Sequence, residues 1–206
     1  MQTQGKAKFC LCSGDLYSSS ARLLEKSVLV EVIFVYMIHH LHRGKRMNQG
    51  GRAVISGNVL ERTVETILQV HGYIEICRDL PKKRRRDWLL YSADSPKRYA
   101  KQVYIGSGIY GTDIYVDFYI FNALTIPAGL IVECKWQQSG GSVDEKLPYL
   151  NLNIQTCYPS PAVVLIDGEG MKKGAINWLT RQVSSNDNLL AVYNLAHFMI
   201  WANKHL

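Results

Sequence analysis

Three charged side chains interrupt two strand-like segments of the chain. Asp117 lies in the apolar run IYVDFYI at 114–120, and Glu133 and Lys135 lie in GLIVECKW at 129–136. An unpaired carboxylate is costly to bury, so two carboxylates beside apolar side chains require a cation. Mg²⁺ suits such a place, because it binds one or two carboxylates together with water and substrate phosphates. A lysine near the ion can orient or acidify an attacking water, so this set of residue types indicates metal-assisted phosphodiester hydrolysis.

Side chains alternate between the two faces of a strand, so the parity of residue numbers predicts which side chains share a face. Asp117 has the parity of Tyr119, and Glu133 and Lys135 have the parity of Ile131. If the two strands are neighbours, the three charged side chains meet on one patch. The alternatives are a strand-end cap or an ion pair for Asp117, and a solvated strand face for Glu133 and Lys135.

The spacing of these residues resembles a known nuclease signature. Asp117, fifteen intervening residues and the tripeptide Glu133-Cys134-Lys135 are similar to the motif of the PD-(D/E)xK nucleases. Val116 stands where that motif has proline. Glu-x-Lys within an apolar strand matches the second half of the motif in full.

The resemblance extends over residues 50–206. The segments CKWQQSGGSVDEKLPYL and PAVVLIDGEGMKKGAINWL are similar to parts of small phage and bacterial members of the restriction type. It implies an α/β (α+β) fold with a central mixed β-sheet flanked by helices, as in a restriction-endonuclease-like core. It also implies cleavage of a DNA backbone that depends on Mg²⁺, for which Mn²⁺ can substitute.

The same resemblance implies a role for each site residue. Asp117 and Glu133 would bind the metal ion, together with the backbone carbonyl of Cys134. Lys135 would position and activate the attacking water and stabilise the developing charge. Glu61, in the helix upstream, would be an outer metal ligand that acts through a water molecule.

Apolar residues at helical spacing over 56–73 predict the helix that carries Glu61. Asn58 and Ser56 are the alternative candidate N-caps, and Gly72 is placed to end the helix at the C′ position. Because Asn58 precedes Glu61 by three residues, a capping box is the alternative to the metal-site role. Glu65, one turn further along, is expected to be solvated.

The remaining segments predict the sheet and helices that would hold these side chains. Strands are expected at 73–77, 102–121 (a hairpin), 129–136, 161–170 and 189–194. Helices are expected at 142–157 in part, 172–183 and 195–206. The two cation-rich segments at 78–88 and 92–102 are expected to be loops.

Cationic and amide side chains around these segments are candidate DNA contacts, since phosphate contacts dominate nucleic-acid affinity. The cations at 82–86 fit a phosphate-contacting arm or, equally, a solvated loop. The glutamines at 137 and 138 fit a site role or a simple loop. The candidates are Lys82, Lys83, Arg84, Arg85, Arg86, Arg98, Lys101, Gln137, Gln138, Lys172 and Lys173.

Composition limits the classes of function. A content of 47% hydrophobic and 20% charged residues is that of a folded domain and excludes global disorder. The net charge of +7 favours a polyanionic partner such as double-stranded DNA.

The five cysteines are scattered and odd in number, which favours a reducing compartment over a disulfide framework. The longest apolar run, at 28–38, is too short to cross a bilayer, so we expect a cytoplasmic protein. The resemblance to phage and bacterial members of the nuclease family implies a bacterial or phage origin.

Residues 1–46 differ from the rest of the chain, with seven Lys/Arg and three Asp/Glu, and Met47 follows them directly. We expect either an extension upstream of a natural start at Met47, or an N-terminal helix that packs on the core or on another subunit. Residues 47–206 are expected to form the nuclease domain.

The function expected from these observations is that of a site-specific endonuclease of the type II restriction kind. Because one such site cuts one strand, cleavage of both strands implies a homodimer or a higher homo-oligomer. A homing endonuclease or a Holliday-junction resolvase of the same fold, and a non-catalytic DNA-binding protein, are the alternatives.

Overall fold

The computed structural model describes residues 49–206, with side chains from Val59 onward. The expectations for residues 1–46 and for a natural start at Met47 lie outside these residues. Within them, six strands form one sheet in the order in which they occur along the chain. The strands are β1 (Ile74–Glu75), β2 (Lys97–Ser107), β3 (Asp113–Asn122), β4 (Ile126–Trp136), β5 (Ala162–Asp167) and β6 (Leu189–Tyr193).

Five α-helices of the described chain flank the sheet. They are α1 (Gln49–Val70), α2 (Arg85–Tyr91), α3 (Leu147–Thr156), α4 (Lys173–Gln182) and α5 (Leu195–His205). Two short 3₁₀ turns, Lys82–Arg84 and Asp144–Lys146, lead into α2 and α3. None of the helices within 49–206 combines the length and the apolar character that a membrane crossing requires.

The sheet is mixed. β2, β3 and β4 are antiparallel neighbours, whereas β1 is parallel to β2, and β4, β5 and β6 are parallel to one another. Parallel neighbours need crossover connections, and α2, α3 and α4 provide the crossovers before β2, β5 and β6. The predicted architecture, a central mixed sheet flanked by helices, is confirmed.

Buried apolar side chains cover both faces of the sheet. On one face, α1 and α5 pack through Leu60, Val64, Ile67, Leu68, Leu195, Phe198 and Ala202. On the other face, α2, α3 and α4 pack through Leu89, Leu147, Leu150, Ile154 and Leu179. Since both faces are covered, a polar side chain in the middle of a central strand must find its partners within the protein.

α1 ends at the glycine that the sequence predicts. Gly72 has a φ of +81°, and its amide donates to the carbonyl of Gln69 at 3.0 Å. The amide of Tyr73 donates to the carbonyl of Leu68, also at 3.0 Å. These two bonds form a Schellman motif, which favours glycine because a residue without a Cβ adopts positive φ at little cost.

The beginning of α1 lies further upstream than the sequence predicts. The helix starts at Gln49 and includes both Ser56 and Asn58, so neither residue is an N-cap and the alternative of a capping box with Glu61 is wrong. The glycines at 50, 51 and 57 do not end the helix, because each glycine in a helix interior costs only about 1 kcal/mol.

The two cation-rich segments that were expected to be loops contain regular elements. Residues 78–88 include the 3₁₀ turn and the start of α2, and residues 92–102 include the first half of β2. Leu89 is fully buried and holds α2 against the sheet. The expectation is wrong because these segments contain many cations and few apolar residues. The sequence pattern therefore does not show which of their side chains face the core.

Arg98 shows how a cation enters this core. The residue is 4% exposed, and its guanidinium donates to the carbonyl of Leu89 at 2.5 Å and to that of Leu90 at 3.1 Å. Arginine thereby satisfies carbonyls that the end of a short helix leaves unpaired. The guanidinium also lies 4.0 Å from the centre of the Phe121 ring. Arg98 is buried by these contacts, and its expected contact with DNA does not hold.

Candidate active site

Strands β3 and β4 bring the two predicted carboxylates to the same side of the sheet. The antiparallel pair Phe118↔Val132 sets a register in which the next residues along, Asp117 and Glu133, stand opposite each other. The regular backbone pairing ends at this point. In its place, the amide of Cys134 donates to Asp117 Oδ2 at 2.8 Å, so the Asp117 carboxylate closes the gap between the strands.

Lys135 lies between the two carboxylates. Its Nζ is 2.5 Å from Glu133 Oε2 and 3.5 Å from Asp117 Oδ2. The side chains of Glu133, Asp117 and Lys135 are 5%, 16% and 27% exposed. The structure therefore brings the three residues together in a mostly buried cluster with a partly open lysine.

The other oxygen of each carboxylate has a neutral partner. Gln102 Nε2 donates to Asp117 Oδ1 at 3.3 Å. The hydroxyl of Tyr158 donates to Glu133 Oε1 at 2.7 Å. Neither partner was predicted from the sequence. The hairpin register offers a signal for Gln102, since residues 101 and 103 pair with 118 and 116 and leave Gln102 opposite Asp117; no local pattern identifies Tyr158.

The electrostatics of the cluster favour a charged lysine. Burial raises the pKa of Glu133 above its ordinary value, the ammonium of Lys135 opposes this shift, and the Asp117 carboxylate adds to it. Burial disfavours the Lys135 ammonium, but the carboxylates of Glu133 and Asp117 outweigh burial and raise the pKa of Lys135. Burial and the Glu133 carboxylate also raise the pKa of Tyr158, so its hydroxyl keeps its proton.

Strict alternation of side chains fails at Asp117. Val116 belongs to the same core cluster as Tyr119, whereas Phe118 belongs to the cluster on the opposite face. Opposite this point, Gln102 has a φ of +52°, in the left-handed region that residues with a Cβ disfavour. Val116 and Phe118 have the same parity but do not share a face, because both hairpin strands change conformation beside the carboxylate.

Glu61, on α1, lies within electrostatic reach of the cluster. Its half-burial raises its pKa, and the Asp117 carboxylate adds to the rise, while the ammonium groups of Lys135 and Lys101 oppose it. Glu65 was expected to be solvated, and this expectation is wrong. Its carboxylate accepts a hydrogen bond from Lys101 Nζ at 2.8 Å.

The donor set at the cluster suits a hard divalent cation. Within residues 49–206 no three side chains of His, Cys, Asp or Glu are grouped to hold a metal ion. The available donors are the carboxylates of Asp117 and Glu133 and the backbone carbonyl of Cys134, and such oxygens are the ligands that Mg²⁺ and Mn²⁺ accept. The ammonium of Lys135 already contacts both carboxylates, so the position between them favours positive charge.

Several predicted DNA contacts are exposed. They are Lys82, Lys83, Arg84, Lys172 and Lys173, with Arg86 and Gln138 partly exposed. Lys82 Nζ contacts Gln102 Oε1 at 3.4 Å and lies 5.5 Å from the centre of the Tyr115 ring. Lys82 therefore contacts Gln102, which in turn donates to Asp117.

Three other predicted contacts are engaged within the protein, which leaves few donors for DNA. Arg85 donates to the carbonyls of residues 78, 80 and 101. Lys101 bridges the carboxylates of Glu65 and Glu75. Gln137 is 6% exposed, and its amide joins two backbone segments, at Gly170 and Val143. Their side chains stabilise the fold through these contacts, and their contact with DNA stays a prediction.

Comparison with protein families is consistent with this geometry. The mixed sheet with helices on both faces is the α/β architecture of the PD-(D/E)XK nucleases, and residues 52–206 match the PD-(D/E)XK nuclease superfamily domain. The chain belongs to this superfamily. Its members generally use divalent metal ions, and nuclease activity implies binding of nucleic acid. Comparisons with curated proteins and with solved structures give no match.

Proposed function

We propose that this protein is a Mg²⁺-dependent DNA endonuclease that hydrolyses phosphodiester bonds. The observation that carries the proposal is the meeting of Asp117, Glu133 and Lys135 at the point where β3 and β4 separate. A nuclease-superfamily domain with this cluster has the residue types that phosphodiester hydrolysis needs.

Asp117, Glu133 and the Cys134 carbonyl would hold Mg²⁺, or Mn²⁺ in its place. The bound ion would neutralise charge on the phosphodiester and acidify water. Glu61 would contribute from α1 through a water molecule. Its half-buried position and its raised pKa, with the Asp117 carboxylate among the causes, support a place at the edge of the site.

Lys135 would act on the attacking water and on the developing charge. Its ammonium keeps its proton because two carboxylates raise its pKa, so it is a hydrogen-bond donor and not a base. A charged donor held in a mostly buried place stabilises negative charge that develops in the transition state.

The exposed cations Lys82, Lys83 and Arg84, on the α2 side of the cluster, and Lys172 and Lys173, at the start of α4, would contact phosphates. The net charge of +7 supports attraction to a polyanion. Arg86 and Gln138 are secondary candidates. We further propose cleavage of the type II restriction kind by a homodimer, since one site cuts one strand and two are needed for a duplex.

The experiment is cleavage of supercoiled plasmid by the full chain in Mg²⁺, with EDTA and Asp117→Asn as negative controls. Asp187→Asn, a change of the same chemistry at an exposed loop position, should leave cleavage intact. Discrete fragments support a site-specific enzyme, a smear supports a non-specific one, and cleavage of four-way junctions alone supports a resolvase. DNA binding with no cleavage in any divalent metal would overturn the proposal in favour of a non-catalytic binding protein.

A further inference from the structure

Each carboxylate of the cluster has one oxygen toward Lys135 and one toward a neutral donor, and Asp117 Oδ2 also accepts a hydrogen bond from the amide of Cys134 at 2.8 Å. Each has an inner oxygen that faces Lys135, namely Asp117 Oδ2 and Glu133 Oε2. Each also has an outer oxygen that accepts a hydrogen bond from an uncharged side chain. Gln102 serves Asp117 Oδ1, and Tyr158 serves Glu133 Oε1.

We infer that Gln102 and Tyr158 are positioning residues, which hold the outer oxygens so that the inner oxygens of Asp117 and Glu133 face the cation position. The inference rests on the proposed function, because it assigns these residues to the metal site. Hydrogen bonds from neutral donors restrict rotation of a carboxylate without placing a competing charge beside it. Such outer partners orient metal ligands and tune metal affinity in many proteins.

The backbone conformation of Gln102 favours glycine, so we infer that the side-chain contacts of Gln102 are the reason for a glutamine at this position. Its φ of +52° lies inside β2, where glycine would fit with less strain. Its amide is engaged at both ends, since Oε1 faces Lys82 Nζ at 3.4 Å and Nε2 faces Asp117 Oδ1 at 3.3 Å. An amide whose oxygen faces an ammonium must present its NH₂ group to the carboxylate, so Lys82 fixes the orientation of Gln102.

The geometry of Tyr158 points to its hydroxyl. The residue is 7% exposed, and its amide donates to the carbonyl of Asn153 at 3.1 Å, which fixes it at the end of α3. Its hydroxyl donates to Glu133 Oε1 at 2.7 Å. Phenylalanine would fill the same apolar space, so the hydroxyl is the part of Tyr158 that acts on Glu133.

The test measures Ca²⁺ binding to the full chain by calorimetry without DNA, for wild type, Tyr158→Phe and Gln102→Gly. Both variants should bind Ca²⁺ about tenfold or more weakly than wild type. Gln102→Gly should at the same time be as stable as wild type or more so, because glycine relieves the positive φ. In Mg²⁺ titrations of cleavage, both variants should need more metal and regain kcat when metal saturates.

Tyr119→Phe is the matched control. It removes a buried hydroxyl that bonds Ser160 Oγ at 2.6 Å and contacts neither carboxylate, so its affinity for Ca²⁺ should equal that of wild type. Wild-type affinity in Tyr158→Phe and Gln102→Gly would overturn the inference while leaving the proposed function intact. Weakened binding by Tyr119→Phe to the same degree, or a loss of stability in Gln102→Gly, would show a structural role instead. A wild-type protein that neither binds Ca²⁺ nor cuts DNA would overturn the proposed function, and this inference with it.

Discussion

The ammonium of Lys135 lies 2.5 Å from Glu133 Oε2 and 3.5 Å from Asp117 Oδ2, so one internal cation balances two carboxylates. Without a divalent ion, this contact allows the carboxylates to stay charged in a mostly buried place. The same residue would then have two roles, one in the stability of the site and one in the chemistry.

Replacement of Lys135 by methionine separates these roles. Lys135→Met should lower the free energy of unfolding in EDTA by about 2–3 kcal/mol, because two adjacent carboxylates lose their counter-ion. Addition of Ca²⁺ should restore most of this loss, and cleavage in Mg²⁺ should fall by about 10²- to 10³-fold because the donor to the attacking water is gone. Urea unfolding and plasmid cleavage measure the two effects.

Lys101 provides the control for that variant, since its ammonium also bridges two carboxylates, Glu65 at 2.8 Å and Glu75 at 3.6 Å, and contacts neither Asp117 nor Glu133. Lys101→Met should lose stability without recovery in Ca²⁺ and should still cut DNA. Equal recovery of stability in Ca²⁺ and equal cleavage for the two variants would contradict the assignment of Lys135 to the metal site.

Glu61 and Glu65 lie one turn apart on α1 and should differ in function. Glu61→Gln should reduce cleavage by about 10- to 100-fold, the range found when an outer partner of a metal ligand is lost. Glu65→Gln should leave the rate at saturating Mg²⁺ near that of wild type, because Glu65 pairs with Lys101. The measurement is kcat for both variants, and equal values would exclude Glu61 from the metal site.

At the scale of secondary structure, the pairing of β3 with β4 and alternation from Tyr119 to Asp117 were sufficient to predict that the three charged side chains meet, although alternation fails beyond Asp117, at Val116. Asp117, Glu133 and Lys135 share a face because β3 and β4 are neighbours in register, and this arrangement follows from a hairpin and a short turn. Tyr158 could not be predicted in the same way, because its contact with Glu133 depends on how α3 packs against the sheet. The positive φ of Gln102 is equally invisible to propensity, since glycine is the residue that such a position favours.

The basic segments show a second limit of prediction from sequence. The cations at 82–86 indicate a solvated loop, yet α2 forms because Leu89 is buried and the guanidinium of Arg98 binds the carbonyls at its end. A buried arginine is rare and requires several acceptors at once. Tertiary contacts of this kind have no local sequence pattern, so burial of Arg98 was not predictable.

The end of α1 gives a test that concerns stability alone. Gly72→Ala should lower the free energy of unfolding by about 1 kcal/mol, because alanine is strained at a φ of +81°. No atom lies within 4 Å of the added Cβ, so steric contact adds nothing. Gly174→Ala, inside α4 and equally free of contacts, should be neutral or stabilising. Equal losses in urea unfolding would contradict the assignment of the Schellman motif.

At the scale of the whole molecule, the net charge of +7 favours a polyanionic partner but does not show where on the surface that partner binds. The contacts within the protein reduce the number of cations that can contact DNA. Arg85, Arg98 and Lys101 stabilise the fold. Lys82 and Arg84 are exposed on one 3₁₀ turn, and Lys82 contacts Gln102, which donates to Asp117. We therefore expect DNA to approach along the 3₁₀ turn that precedes α2.

Salt dependence of binding tests this approach. Lys82→Ala and Arg84→Ala should each weaken DNA binding at all sequences and reduce the slope of log K against log salt by about 1. Lys204→Ala removes an exposed cation on α5, which packs on the opposite face of the sheet, and should change neither quantity. Fluorescence anisotropy in Ca²⁺ at several salt concentrations provides the measurement, and loss of affinity only in Lys204→Ala would place the DNA on the other face.

The most direct test of the central claim is the rate of plasmid cleavage as a function of Mg²⁺ concentration for wild type and Glu133→Gln. This substitution keeps the size of the side chain and the acceptor for Tyr158 while it removes the charge next to Lys135. Wild-type cleavage should rise with Mg²⁺ to saturation, and Glu133→Gln should be at least about 100-fold slower at every concentration. Cleavage by wild type in EDTA, or equal rates for the two proteins, would contradict a metal-dependent nuclease site built on Asp117, Glu133 and Lys135.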